Sequence, residues 1–90
     1  MLAASWDWDD HNLEELWKHG AARRDVLEVA AGAPMFRRNK RRRAASHQMI
    51  GPDRGGQFWT ICIVHVRDGR WRAVTGWRSQ RHEIDWYNKT

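Results

Sequence analysis

The sequence predicts a small α+β domain, with amino-terminal helices packed on an antiparallel meander sheet and a closing carboxy-terminal helix. Three observations support that reading. Caps and helical apolar spacing occupy residues 9–31. Residues 58–66 (FWTICIVHV) are β-branched and aromatic almost throughout, as in a strand buried on both faces. Asp68 and Gly69 then make a tight hairpin turn into alternating residues 70–77. Residues 1–90 read as a single domain, because chains of this length bury only roughly 60–65% of the surface exposed when unfolded and do not support two cores.

Residues 5–8 (SWDW) alternate polar and aromatic side chains, which suits a short entering strand. Asp9 or Asp10 caps a first helix in which Leu13 and Trp17 share a face, Glu14 pairs with Lys18, and Gly20 closes the end. A second helix over residues 23–31 sets Val26, Leu27 and Ala30 on one side and stops at Gly32 and Pro34. Met35 and Phe36 begin a strand that runs into an exposed basic stretch, residues 37–43. Residues 46–51 (SHQMIG) form a short strand, and residues 52–56 turn into the long apolar strand, which includes His65 as a core histidine. In the next strand Trp71, Ala73 and Thr75 alternate with Arg72, Val74 and Gly76. Ser79 caps the last helix, where Ile84 lies close to Tyr87 at i, i+3.

Composition narrows the function. Hydrophobic residues make up 41% and charged residues 30%, a globular balance, and seven tryptophans supply apolar burial that a short chain otherwise lacks. The lone cysteine, Cys62, excludes a disulfide framework and a thiolate zinc cluster, and fits a reducing compartment. No apolar stretch approaches the ~20 residues of a membrane span, and residues 1–5 lack the pattern of a signal peptide. A cytoplasmic protein without a membrane partner is expected. The net charge of +5 is unevenly spread. Residues 1–30 hold seven acidic against three basic side chains, whereas residues 31–90 hold thirteen basic against four acidic ones. A basic body of this kind attracts phosphate backbones through counterion release.

Recognisable catalytic signatures are few. No glycine-rich phosphate loop follows a strand, no serine sits in an elbow motif, and His11 and His19 lie too far apart on one helix to share a metal. No metal and no cofactor are expected. The remaining inventory suits metal-free RNA cleavage, in which a base activates the ribose 2′-OH, an acid protonates the leaving oxygen and an arginine stabilises the phosphorane.

Several short pieces, in order, make the chain resemble the BrnT toxins of bacterial type II toxin–antitoxin pairs. These are Trp8 and Asp9, Asn12, and Trp17-Lys18-His19-Gly20 near the start. Ile50 and Gly51 match a short strand ending in glycine, and residues 58–66 match the family's apolar hairpin strand. Thr75, Arg78, Arg81, Glu83 and Tyr87 match a pattern of a small hydroxyl residue, basic residues, then Glu and Tyr on the last helix. The chain departs from the family at Trp77, where an arginine is usual, with Arg78 one place later. It departs again at Ala45, Ser46 and His47, where an acid and an arginine are common. The resemblance implies a RelE-like fold over residues 1–90 and a ribonuclease that inhibits translation by cleaving mRNA. It further implies neutralisation by a cognate antitoxin in a hetero-oligomer.

The expected site lies where the final strand meets the last helix. Arg78 stabilises the phosphorane, Glu83 or His47 is the base, and His82 or Tyr87 is the acid. Arg37, Arg38, Lys40, Arg41, Arg42 and Arg43, with Arg54, Arg72 and Arg81, are the expected RNA contacts, and Trp77 is a base-stacking candidate. A non-catalytic RNA- or protein-binding module that keeps the toxin fold and antitoxin interface is the alternative. A DNA-binding regulator is disfavoured by the absence of a helix-turn-helix pair.

Overall fold

The computed structural model describes residues 5–39, 45–66 and 69–89. The elements run β1 (Ser5–Trp6), α1 (Asp10–Trp17), α2 (Arg23–Ala31), β2 (Met35–Arg38), β3 (His47–Pro52), β4 (Phe58–His65), β5 (Arg70–Arg78) and α3 (Arg81–Lys89). The five strands form one mixed sheet in the order β1-β5-β4-β3-β2. The antiparallel meander expected from the sequence covers β2 to β5. The two-residue strand β1 adds a parallel edge to β5, pairing Ser5 with Arg70 and Trp6 with Trp71. The architecture is therefore α+β, with helices before and after the meander.

The sheet has two faces with different cover. On one, Met49, Ile61, Ile63, Trp71 and Ala73 meet Leu16 of α1 and Val26 and Val29 of α2 in the main core. Each of the larger aliphatic side chains there contributes about 1.5–3 kcal/mol through burial. Gly76 belongs to this face, opposite Ile61, and a Cβ there would sit 2.8 Å from Ile61 Cδ1. α3 packs on the other face, where the Phe58 and Tyr87 rings meet edge-on at 5.1 Å and Thr60 Oγ1 bonds Ser79 Oγ at 2.8 Å.

Local structure follows the expected punctuation with informative differences. Gly20 has φ +81°, and the N–H groups of Gly20 and Ala21 return to the carbonyls of Trp17 and Leu16, a Schellman closure that α1 needs at its end. Asn12 and Leu16, not Leu13 and Trp17, form the buried side of α1, leaving Trp17 68% exposed. The helix is rotated because the Asn12 amide donates to the Ala73 carbonyl beyond the end of the β1 pairing. In α2 the buried pair is Val26 and Val29, and Leu27 faces outward. His65 is exposed and lies edge-on to Trp71 at the strand end, so it is not a core histidine. Ser79 does not cap α3; its hydroxyl is used by Thr60, and Glu83 Oε1 instead accepts the Gln80 N–H at 2.7 Å.

Candidate functional site

Cross-strand register builds the floor of a cleft on the face that carries α3. Arg37, Gln48, Cys62 and Thr75 stand side by side on β2, β3, β4 and β5. A register shift in β5 breaks its strict alternation: Ile63 pairs with Ala73, but Cys62 pairs with Thr75. Val74 is the extra residue, so Val74 and Thr75 both turn towards the cleft while Ala73 and Gly76 stay with the core. The walls come from α1 (His11, Asn12, Glu15) and the first turn of α3 (His82, Glu83), with Arg38 and Arg72 at the sides. The cleft is half open to solvent and has a volume of about 1090 Å³, within reach of a nucleotide-sized ligand.

The three cleft arginines are in different electrostatic states. Arg72 is paired with Asp7 Oδ2 at 3.2 Å and Asp9 Oδ2 at 2.8 Å. Asp9 also caps α1 by accepting the Asn12 N–H, and that bond, followed by the Arg72 guanidinium, holds its carboxyl below the usual range. Arg37 meets no carboxylate among the described residues. Its Nε–H donates to Gln48 Oε1 at 2.8 Å and its guanidinium lies 4.9 Å from the Trp86 ring centre. Arg38 is exposed.

At the other end, Trp77 Nε1–H is shared between both Glu83 oxygens at 3.2 and 3.3 Å. Glu83 is 3% exposed and also accepts the Gln80 N–H, so its carboxylate orients Trp77 and starts α3. On the floor, burial pushes the Cys62 thiol up to about 11, against a smaller opposing effect of its hydrogen bond with Gln48. Among the described residues no group of three His, Cys, Asp or Glu side chains could hold a metal ion. No helix there is long and apolar enough to cross a membrane.

No family model matches the chain, and no curated protein matches it in sequence.

Of the residues expected to act, the structure gathers Arg37, Arg38, Arg72, Trp77, His82 and Glu83 around the cleft. Others lie apart. Arg78 pairs with Trp59, so alternation sends it to the face opposite Trp77. His47 pairs with Ile63 on the core face, and its Nδ1 meets Ser46 Oγ at 2.9 Å. Tyr87 O–H donates to the Ala33 carbonyl at 2.7 Å and serves packing. Arg54 sits in the exposed β3–β4 turn, its backbone N–H bonded to Glu28. Arg81 opens α3 and is exposed. Lys40, Arg41, Arg42 and Arg43 lie outside the described residues. His11, Asn12 and Gln48 also line the cleft, and no local signal in the sequence marks them. Only the cross-strand register and the approach of α1 to the β5 edge reveal them.

Proposed function

We propose that this chain is a BrnT-like, RelE-like ribonuclease toxin that binds single-stranded RNA in the cleft and cleaves it without a metal. A cognate antitoxin with an acidic segment would restrain it by occupying the same basic surface. The observation that supports this reading is the combination, in one concavity, of three arginines, an indole held by a buried carboxylate, and the imidazoles of His11 and His82. Arginines meet phosphodiesters, an aromatic ring takes an unstacked base, and histidine is the side chain best suited to proton transfer near neutral pH. His82 is the leading proton-transfer group, because its neighbour Glu83 is already engaged by Trp77 and Gln80.

A second reading has its own observation. Arg78, His47 and Tyr87 do not converge on the cleft, which favours a binding module that keeps the surface without the reaction. Incubating the purified chain with labelled single-stranded RNA in EDTA separates the two. Cleavage that His82→Ala abolishes supports the nuclease; salt-dependent binding with intact RNA supports the module. Absence of both, together with normal growth on induced expression, removes the RNA reading.

A further inference from the structure

We infer that Arg37 is the phosphate anchor of the cleft, held ready for the phosphodiester of a single-stranded nucleic acid by Gln48 and Trp86. The inference rests on the RNA reading above and adds to it which cation makes the decisive contact. Charge alone does not distinguish the cleft arginines; their partners do. Arg72 already spends its charge on Asp7 and Asp9, at 3.2 and 2.8 Å. The Arg38 side chain is exposed and makes no hydrogen bond or ion pair among the described residues, so binding would have to order it. Arg37 combines full charge with fixed orientation.

The fixing groups are neutral. Gln48 Oε1 takes the Nε–H at 2.8 Å, and the Trp86 ring supports the guanidinium from 4.9 Å. Arginine has five N–H donors in one plane, and using only Nε leaves the paired Nη donors for a bidentate phosphate contact. Gln48 stands opposite the buried Cys62 on the next strand, in the middle of the sheet. The arrangement therefore runs from the sheet floor to a pre-aimed cation, with α3 supplying the aromatic support. Arg37 is the binding residue, and Gln48 is a positioning residue that carries no charge of its own.

The test is titration of a short fluorescent single-stranded RNA with the full chain and four variants across a salt series. Arg37→Gln should weaken binding by about 10- to 100-fold, the scale of a lost charge-assisted contact, and reduce the salt slope by about 0.7. Arg37→Lys keeps the charge and covers any folding failure of the Gln variant. It should still weaken binding several-fold, roughly 5-fold or more, because an ammonium does not present the planar fork. Gln48→Leu removes no charge, so it should weaken binding by about 3- to 10-fold with the salt slope unchanged. Arg54→Gln, outside the cleft, should stay within about 2-fold of the parent. Equal effects of Arg37→Gln and Arg54→Gln, or parental binding by both Arg37→Lys and Gln48→Leu, would overturn the anchor while leaving RNA binding intact. A parent chain that binds no RNA at all removes the RNA reading itself.

Discussion

Replacing Glu83 tests whether its carboxylate is structural or chemical. It is 3% exposed and accepts the Gln80 N–H at 2.7 Å and the Trp77 indole N–H at 3.2 and 3.3 Å. Alanine would leave both donors without their acceptor. A hydrogen bond to an ionised group contributes about 1.5–3 kcal/mol net, and loss of a helix-start interaction costs about 1 kcal/mol. Release of a buried carboxylate from its desolvation cost offsets part of this. The expected net loss for Glu83→Ala is about 2–4 kcal/mol, against a total of roughly 5–10 kcal/mol for a domain of this kind. The Tm should fall by about 10–20 °C. Glu83→Gln keeps one acceptor oxygen and should lose only about 1 kcal/mol. Urea unfolding with an unchanged m-value is the assay. Glu83→Ala within about 0.5 kcal/mol of the parent would refute the structural assignment, and coupled with lost cleavage would return Glu83 to the role of base.

Three further outcomes follow from packing and protonation. Gly76→Ala should destabilise by about 1–3 kcal/mol in the same unfolding assay, since its Cβ would meet Ile61 Cδ1 at 2.8 Å and the Thr60 carbonyl at 3.3 Å, and Ile61 is fully buried. The Cys62 thiol, pushed up to about 11 by burial, should react with iodoacetamide near pH 8 about 100-fold more slowly than in urea. Its raised value means that stability falls as pH climbs from the ordinary 9.0 through about 11; a flat profile there would contradict the burial. Asp53 accepts N–H groups from Gly55, Gln57 and the Trp59 indole, and the Trp59 bond is the main cause of its lowered value. Its contribution is present above the ordinary value near 3.8 and lost as pH falls through the folded one, so Asp53→Asn should flatten the acid limb of a stability–pH curve.

The hairpin and its flanks were legible because their signals are local. The run FWTICIVHV and the Gly20 helix end each state their conformation within a few residues, and Gly69 has φ +72°, while Asp68 of the expected turn lies outside the described residues. What escaped depends on long-range pairing. The β1–β5 contact involves two residue pairs about 65 positions apart, with no periodicity to announce it. The α1 face was misphased because its anchor is the polar Asn12, held by Ala73, rather than an apolar residue. Strict alternation assigned Thr75 to the Trp71 face, whereas the shift at Val74 moves it to the cleft. The site was half legible for the same reason. Charge marked Arg37, Arg38 and Arg72, but only structure separates the arginine neutralised by Asp7 and Asp9 from the one propped by Gln48. Trp77 and Arg78 are adjacent in sequence and opposite in space, so proximity to the helix start did not decide which enters the cleft.

The most direct measurement is an NMR titration of the labelled chain with a short single-stranded RNA at moderate salt. The largest and saturable amide shifts should fall on the cleft row and its wall, at Arg37, Gln48, Cys62, Thr75, Trp77 and His82. Shifts centred instead on the outer faces of α1 and α2, around Trp17 and Leu27, would contradict RNA binding in the cleft, as would no shift at any site.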